Sequence, residues 1–182
     1  GVAITSSTTS ALAIMDADEA VVLLADGTSN TLVDATTYVY PDSETDEPNA
    51  ALFSSADLTI AGTGSLTVTG NSNDGIASKD GLAITGASVR ASAADDGIRG
   101  KDYVSIQDAD VTVQSGGDGI KADNNEDTDK GFIVVRAGTV TVTSGDDGLT
   151  AATDLVVSGG TLAVTAGGGA PEVSQDSGAK GL

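Results

Sequence analysis

The chain has no cysteine, no histidine and no tryptophan, and three tyrosines with two phenylalanines are all the aromatics among its 182 residues. Without cysteine there is neither a disulfide framework nor a thiolate metal site. Without histidine, the commonest general base near neutral pH and the commonest transition-metal ligand are missing. A core built on Phe and Trp is unavailable, and no Gly-x-Ser-x-Gly nucleophile elbow occurs. Basic residues are also scarce: 8 against 27 acids, a net charge of −19. Such a surface repels phosphate backbones and anionic lipid, which disfavours nucleic acid and membrane surfaces and leaves cations as natural partners. No run approaches the roughly 18 apolar residues of a spanning helix, so no membrane insertion is expected.

What the chain does have is a repeat. Asp-Gly followed by Ile or Leu recurs at Asp74-Gly75-Ile76, Asp96-Gly97-Ile98, Asp118-Gly119-Ile120 and Asp147-Gly148-Leu149. The first two steps are 22 residues and the third is 29, with the surplus in the polar run Asn124–Lys130. After each corner come two apolar stations, Leu82/Ile84 and Val89/Ala91 in one repeat, Val104/Ile106 and Val111/Val113 in the next. Apolar residues at i and i+2 mark strands. Three short strands per repeat, separated by Gly, Asp, Ser and Asn corners, make one coil of a solenoid. The expectation is an all-β, three-sided parallel β-helix, right-handed, with about 22 residues per coil. One domain spans 1–182, with insertions near 33–49, 124–130 and 167–178, and both ends read as those of a fragment of a longer protein. Leu58, Leu82, Val104, Ile133 and Leu155 should stack as one inward column, and Leu66, Val89, Val111, Val140 and Leu162 as another.

Stacking puts the acids in register too. Asp74, Asp96, Asp118 and Asp147 form one column, with Asn73, Asp95, Gly117 and Asp146 beside them. A second acidic set follows at Asp80, Asp102 and Asp123. Carboxylates one coil apart, about 4.8 Å, repel by about 3.5 kcal/mol at an effective dielectric constant near 20. Protonation, hydration or a cation between coils can relieve this. An oxygen-only donor set with neither His nor Cys points to Ca²⁺. The plainer reading of each Asp-Gly is a turn, with glycine supplying a positive φ.

The segments Asn73–Asp80, Asp95–Asp102 and Gly117–Ala122 resemble a secreted, calcium-binding, carbohydrate-binding β-helix family whose domain is similar to polysaccharide lyases. The resemblance implies Ca²⁺ between coils, with Asp74, Asp95, Asp96, Asp118, Asp146 and Asp147 as ligands. It also implies a secreted or cell-surface location and a polysaccharide partner of plant type, acidic sugars or cellulose included. This sequence departs from the pattern at Gly117, where a tandem acid is missing, and at Ala50-Ala51, where no Asp-Gly precedes Leu52.

Three functions compete. The first is a non-catalytic carbohydrate-binding module, for which Tyr38, Tyr40 and Tyr103 are the few sugar-stacking candidates. The second is a structural stalk or filament protein, with end-to-end self-association. The third is a calcium-dependent lyase, which needs a neutral Lys or Arg base beside a bound uronate. Arg99 and Lys121 stack in one column and Lys79 and Lys101 in another. Pairing with the nearby acids keeps such cations protonated, so the chain reads as a non-enzyme. An ice-binding face is excluded because Arg90 and Ala163 interrupt the threonine column.

Overall fold

The computed structural model describes residues 1–42, 44–167 and 180–182. Strand β1 (Ala3–Thr5) precedes six coils of three strands each. The coils are β2 (Leu12–Ile14), β3 (Glu19–Leu24), β4 (Ser29–Val33); β5 (Ala50–Ser54), β6 (Asp57–Gly62), β7 (Ser65–Gly70); and β8 (Asp74–Ser78), β9 (Gly81–Thr85), β10 (Ser88–Ala93). They continue as β11 (Ile98–Gly100), β12 (Tyr103–Gln107), β13 (Ala109–Ser115); β14 (Ile120–Ala122), β15 (Phe132–Val135), β16 (Gly138–Ser144); and β17 (Leu149–Ala151), β18 (Leu155–Val157), β19 (Thr161–Thr165). Corresponding strands of successive coils pair in parallel and build three sheets, ordered β1-β4-β7-β10-β13-β16-β19, β17-β14-β11-β8-β5-β2 and β18-β15-β12-β9-β6-β3. This is the expected three-sided parallel β-helix, and no helix occurs among the described residues.

The expected columns form in register. Leu58, Leu82, Val104, Ile133 and Leu155 are consecutive partners, as are Leu66, Val89, Val111, Val140 and Leu162. At the corners Leu52, Ile76, Ile98, Ile120 and Leu149 complete the core. From Leu58 to Val142 these side chains are nearly all sealed from water, whereas Leu155 and Leu162 in the last coil are partly exposed. Alternation follows directly: each strand sends every second residue inward and the rest out.

Segment 124–130 is a loop between β14 and β15, as expected. The excursion after β4 runs over 34–49, with Val33 still in the strand. It is tied down by Tyr38, which donates to Asp34 Oδ2 at 2.8 Å, by Tyr40, which donates to the Pro48 carbonyl at 3.0 Å, and by an ion pair between Lys79 and Glu47. Where it returns, the outward-facing Phe53 of β5 is fully buried in a small cluster with Ala50 and Ala77. The insertion expected near 167–178 lies, except for Gly167, outside the described residues.

The corner glycines differ from expectation in their reason. None of Gly75, Gly97, Gly119 and Gly148 is among the glycines with positive φ, so the left-handed turn assigned to Asp-Gly is not what requires them. They are required by close packing. A Cβ at Gly97, Gly119 or Gly148 would lie 2.2 Å from a Cγ of Val113, Val142 or Val164, respectively. It would also meet the carbonyl oxygen of the next coil's glycine at 2.4–2.6 Å. The corner glycines are therefore the points where one coil rests on the next.

Candidate functional site

The Asp-Gly column stands along one edge of the solenoid and is built from hydrogen bonds. Asp74 Oδ1 accepts the backbone N–H of Asp96 at 3.2 Å, Asp96 Oδ1 that of Asp118 at 2.9 Å, and Asp118 Oδ1 that of Asp147 at 3.1 Å. Asp147 Oδ1 then accepts the N–H of Lys180 at 2.6 Å. Each inner carboxylate oxygen thus caps the corner one coil above, where the strand ladder leaves an N–H without a carbonyl partner. Asp74, Asp96 and Asp118 are correspondingly buried.

The outer oxygens meet side-chain cations. Lys121 Nζ bridges Asp96 Oδ2 at 3.1 Å and Asp118 Oδ2 at 3.0 Å. One coil below, Arg99 faces Asp74 Oδ2 at 3.9 Å and binds Asp123 Oδ2 through Nε and Nη2 at 3.0 and 2.6 Å. Arg99 and Lys121 are register partners, and the next residue in their column is Thr150. So at the Asp96–Asp118 step an ammonium occupies the place between coils where a metal was expected. At the Asp118–Asp147 step no cation follows, and Thr150 Oγ1 is buried without a hydrogen-bond partner among the described residues.

Burial and the neighbouring Asp96 charge push the Asp74 carboxyl up to about 7, against the partial relief of Arg99. Burial also raises Asp96, with Lys121 and the Asp118 N–H opposing it. For Lys121, burial works to lower the pKa, but the hydrogen bond it donates to Asp118 and the Asp96 charge outweigh it and push it well up. Arg99 is likewise raised: Asp123 and Asp74 outweigh its burial. Both are cations that hold their protons, the opposite of what a lyase base requires.

Of the other residues assigned from sequence, several are occupied elsewhere. Asp102 is not open: Asn124 Nδ2 and Lys130 Nζ each donate to its carboxylate at 2.7 Å. Burial acts to raise Asp102, but the Lys130 and Asn124 hydrogen bonds prevail and hold it below its ordinary value. Asn124 Oδ1 in turn accepts from the N–H groups of Glu126 and Asp127, so Asp102 anchors the inserted loop. Asn124, and not Asp123, stands 22 residues above Asp102; Asp123 falls one residue early and turns to Arg99. Asn73 Nδ2 donates to the Asn49 carbonyl, fastening the end of the excursion. Asp80 is half-buried, and its backbone carbonyl accepts the Asp102 N–H.

Asn73, Asp95, Gly117 and Asp146 do stack: the N–H groups of Asp95, Gly117 and Asp146 each donate to the carbonyl of the column residue one coil below. A Cβ at Gly117 would sit 2.4 Å from Asp95 Oδ1, the end of an exposed side chain that can swing aside, and 2.9 Å from Asp96 Oδ1. The Asp95 carboxylate leans into the space an acid at 117 would need. Among the described residues no three carboxylates converge as a closed metal cage. The donors have the oxygen chemistry of a Ca²⁺ site. Asp74, Asp96 and Asp118 are already engaged by backbone N–H groups and side-chain cations; among the described residues Asp95, Asp146 and Asp147 make no ion pair.

Replacing Lys121 with alanine is expected to lower stability by about 2 kcal/mol, below the usual 3–5 for breaking a buried pair because Lys121 is partly exposed. Urea unfolding at pH 8 measures this.

Elsewhere, the Tyr103 ring lies over Gly81, close enough that a Cβ there would strike it, and stacks on Phe132 with centroids 5.6 Å apart. The two rings therefore cover each other rather than forming an open sugar platform. Sequence reading missed Lys130 and Asn124, which partner Asp102, and used Arg90 only as an interruption. On the seven-stranded sheet Thr67, Arg90 and Thr112 form one outward row, and Thr69, Ser92 and Gln114 the next. Between the rows runs a groove of about 230 Å³.

A family model described as carbohydrate-binding domain-containing protein matches residues 1–182, the whole chain. The chain belongs to this carbohydrate-binding domain-containing family. A relative of the same description from Acetivibrio thermocellus is 40% identical over 93 residues, which cover 51% of this chain and 32% of that protein. The match thus spans about a third of the curated relative's length. A polysaccharide lyase-like protein from C. thermocellum, solved as a gadolinium derivative, superposes with a TM-score of 0.77 at 33% identity, covering 90% of this chain and 69% of that one. The family is described by carbohydrate binding, and the solved neighbour shares the fold of this chain.

Proposed function

We propose that this chain is a non-catalytic, extracellular polysaccharide-binding β-helix, secreted or held at a cell surface, whose upper Asp-Gly corners take Ca²⁺. The observation that carries the non-catalytic part is the ion pairing of the ladder. Its cations, Arg99 and Lys121, are locked onto Asp123, Asp74, Asp96 and Asp118 and retain their protons. Family membership supports the carbohydrate part, and the neighbour's name supports only a lyase-like shape.

Calcium enters the proposal in a narrower form than the spacing suggests. Asp146 and Asp147 belong to the coil above the last bridging lysine, where the register partner of Lys121 is Thr150, whose hydroxyl has no hydrogen-bond partner among the described residues. A hard cation there would supply charge neutralisation that Lys121 supplies one coil below. End-to-end association of copies is a subordinate reading that sedimentation would test directly.

The test is retention on insoluble cellulose and on polygalacturonate, with Ca²⁺ and with EDTA, while ultraviolet absorbance follows unsaturated products. Retention on either polysaccharide without product formation supports the reading. No retention in any condition removes the carbohydrate function in favour of a stalk, and steady growth of absorbance removes the non-catalytic one.

A further inference from the structure

We propose that Arg90 and the groove around it form a carboxylate-reading glycan subsite, suited to a neutral polysaccharide chain that carries isolated uronic-acid branches. The inference rests on the carbohydrate-binding reading and adds the place, the ligand class and independence from metal.

The first ground is how charge is partitioned. The chain carries a net charge of −19, yet the outward positions of the seven-stranded sheet hold a single acid, Asp110. The remaining outward positions of the paired strands from β4 to β19 are Ser, Thr, Gln, Val33, Ala163 and one cation, Arg90. Such partition leaves one face from which an anionic ligand is not repelled.

The second ground is that Arg90 is unspent. Arg99 and Lys121 pair with ladder acids, Lys79 with Glu47 and Lys130 with Asp102, whereas Arg90 is exposed and, like Lys101, Arg136 and Lys180, makes no ion pair among the described residues; of these four only Arg90 lies on the outward face of the seven-stranded sheet. Its guanidinium presents a planar fork of donors matched to a carboxylate.

The third ground is the shape around it. The groove runs along the solenoid between two rows of outward side chains, with Arg90 at the middle of one row. Its floor is the backbone of Val68 and Ala91, whose side chains point into the core. Outward residues two apart in a strand flank it, and successive coils repeat its walls every 4.8 Å or so. Hydroxyl and amide groups of Thr67, Thr69, Ser92, Thr112 and Gln114 both donate and accept, which fits a polyhydroxylated chain. One guanidinium on a neutral face reads one carboxylate. A polymer charged at every sugar would instead carry most of its charge against an acidic protein without compensation.

The experiment compares a xylo-oligosaccharide bearing one glucuronic-acid branch with the same unbranched oligosaccharide by calorimetry in EDTA. Wild type and Arg90→Ala are titrated, and Arg90→Lys serves as the partial variant because it keeps charge but loses the fork. Circular dichroism confirms folding, which an exposed residue on the outer face should leave intact. Expected is a preference for the branched ligand that falls at least roughly tenfold in Arg90→Ala, with an intermediate value for Arg90→Lys. In wild type, amide shifts on adding the branched ligand should map to 65–70, 88–93 and 109–115. Branched-ligand affinity unchanged in Arg90→Ala, shifts confined to the Asp-Gly edge, or binding that disappears in EDTA would each overturn the subsite. Binding of the unbranched chain alone would overturn the uronate reading while leaving carbohydrate binding intact. If neither this pair nor cellulose nor polygalacturonate is bound, the carbohydrate reading itself has failed.

Discussion

Gly119→Ala is expected to destabilise the protein by about 3 kcal/mol, although it adds a single methyl group to a chain rich in alanine. Overpacking a tight core costs typically 1–3 kcal/mol, and the upper end applies where the neighbour is backbone. The new Cβ would meet Val142 Cγ1 at 2.2 Å and the Gly148 carbonyl oxygen at 2.4 Å. A valine rotamer can move, but the Gly148 oxygen accepts the Ile120 N–H that binds one coil to the next. The double variant Gly119→Ala/Val142→Ala should therefore recover only part of the loss. Gly27→Ala provides the contrast: nothing lies within 4 Å, and the cost comes from its φ of 66°, about 1–2 kcal/mol. Chemical denaturation of the four proteins measures all of this, and equal losses at Gly119 and Gly27 would contradict the packing account.

Asp74 carries the largest expected pH effect. Its carboxyl ionises at about 7 when folded, chiefly through burial, against an unfolded value of 3.8. The folded state therefore binds the extra proton between those values, so ∂ΔG/∂pH is negative there. The contribution is complete below about pH 4 and is lost as pH rises through 7, at most about 4 kcal/mol. Asp102 acts in the opposite sense, because its depressed value means stability is lost as pH falls through it. Stability should then rise from pH 8 towards pH 5 and fall again in stronger acid. Asp74→Asn keeps an oxygen to accept the Asp96 N–H and removes the charge, so it should stabilise at pH 8 and flatten the upper limb. Urea midpoints from pH 4 to 9 decide it; an unchanged profile in Asp74→Asn would place the pH dependence elsewhere.

The fold was legible because a solenoid writes its period into the chain. Ile76, Ile98 and Ile120 stand 22 residues apart and pair in the structure as the spacing requires. Spacing gives register but not the use of individual atoms. It aligned Asp74, Asp96, Asp118 and Asp147 correctly, yet could not reveal that one oxygen of each is consumed by the N–H above. Lys121 follows Asp118 by three residues, a clue to pairing that the sequence did contain; its reach down to Asp96 needs the coil geometry. Asp123 and Asn124 were exchanged because the acid is one residue early, and only pairing identifies Asn124 as the partner of Asp102. The corner glycines were assigned to turn chemistry because Asp-Gly so often serves it, whereas here long-range contact with Val113, Val142 and Val164 decides. Arg90 stood in the sequence only as a break in the threonine column, because its importance is the neutrality of its surroundings, a property of a folded face and not of a local motif.

The account places internal cations at the lower ladder and Ca²⁺ only at the top. Thermal unfolding of wild type and Asp147→Asn, each with EDTA and with millimolar Ca²⁺, tests that division most directly. The asparagine retains the oxygen that accepts the Lys180 N–H, so the variant isolates charge from the cap. Ca²⁺ in hundredfold excess over Kd adds about 2.7 kcal/mol of stability. The account predicts a raised melting temperature in wild type and little or no shift in Asp147→Asn. No shift in wild type, or the same shift in both proteins, would contradict it.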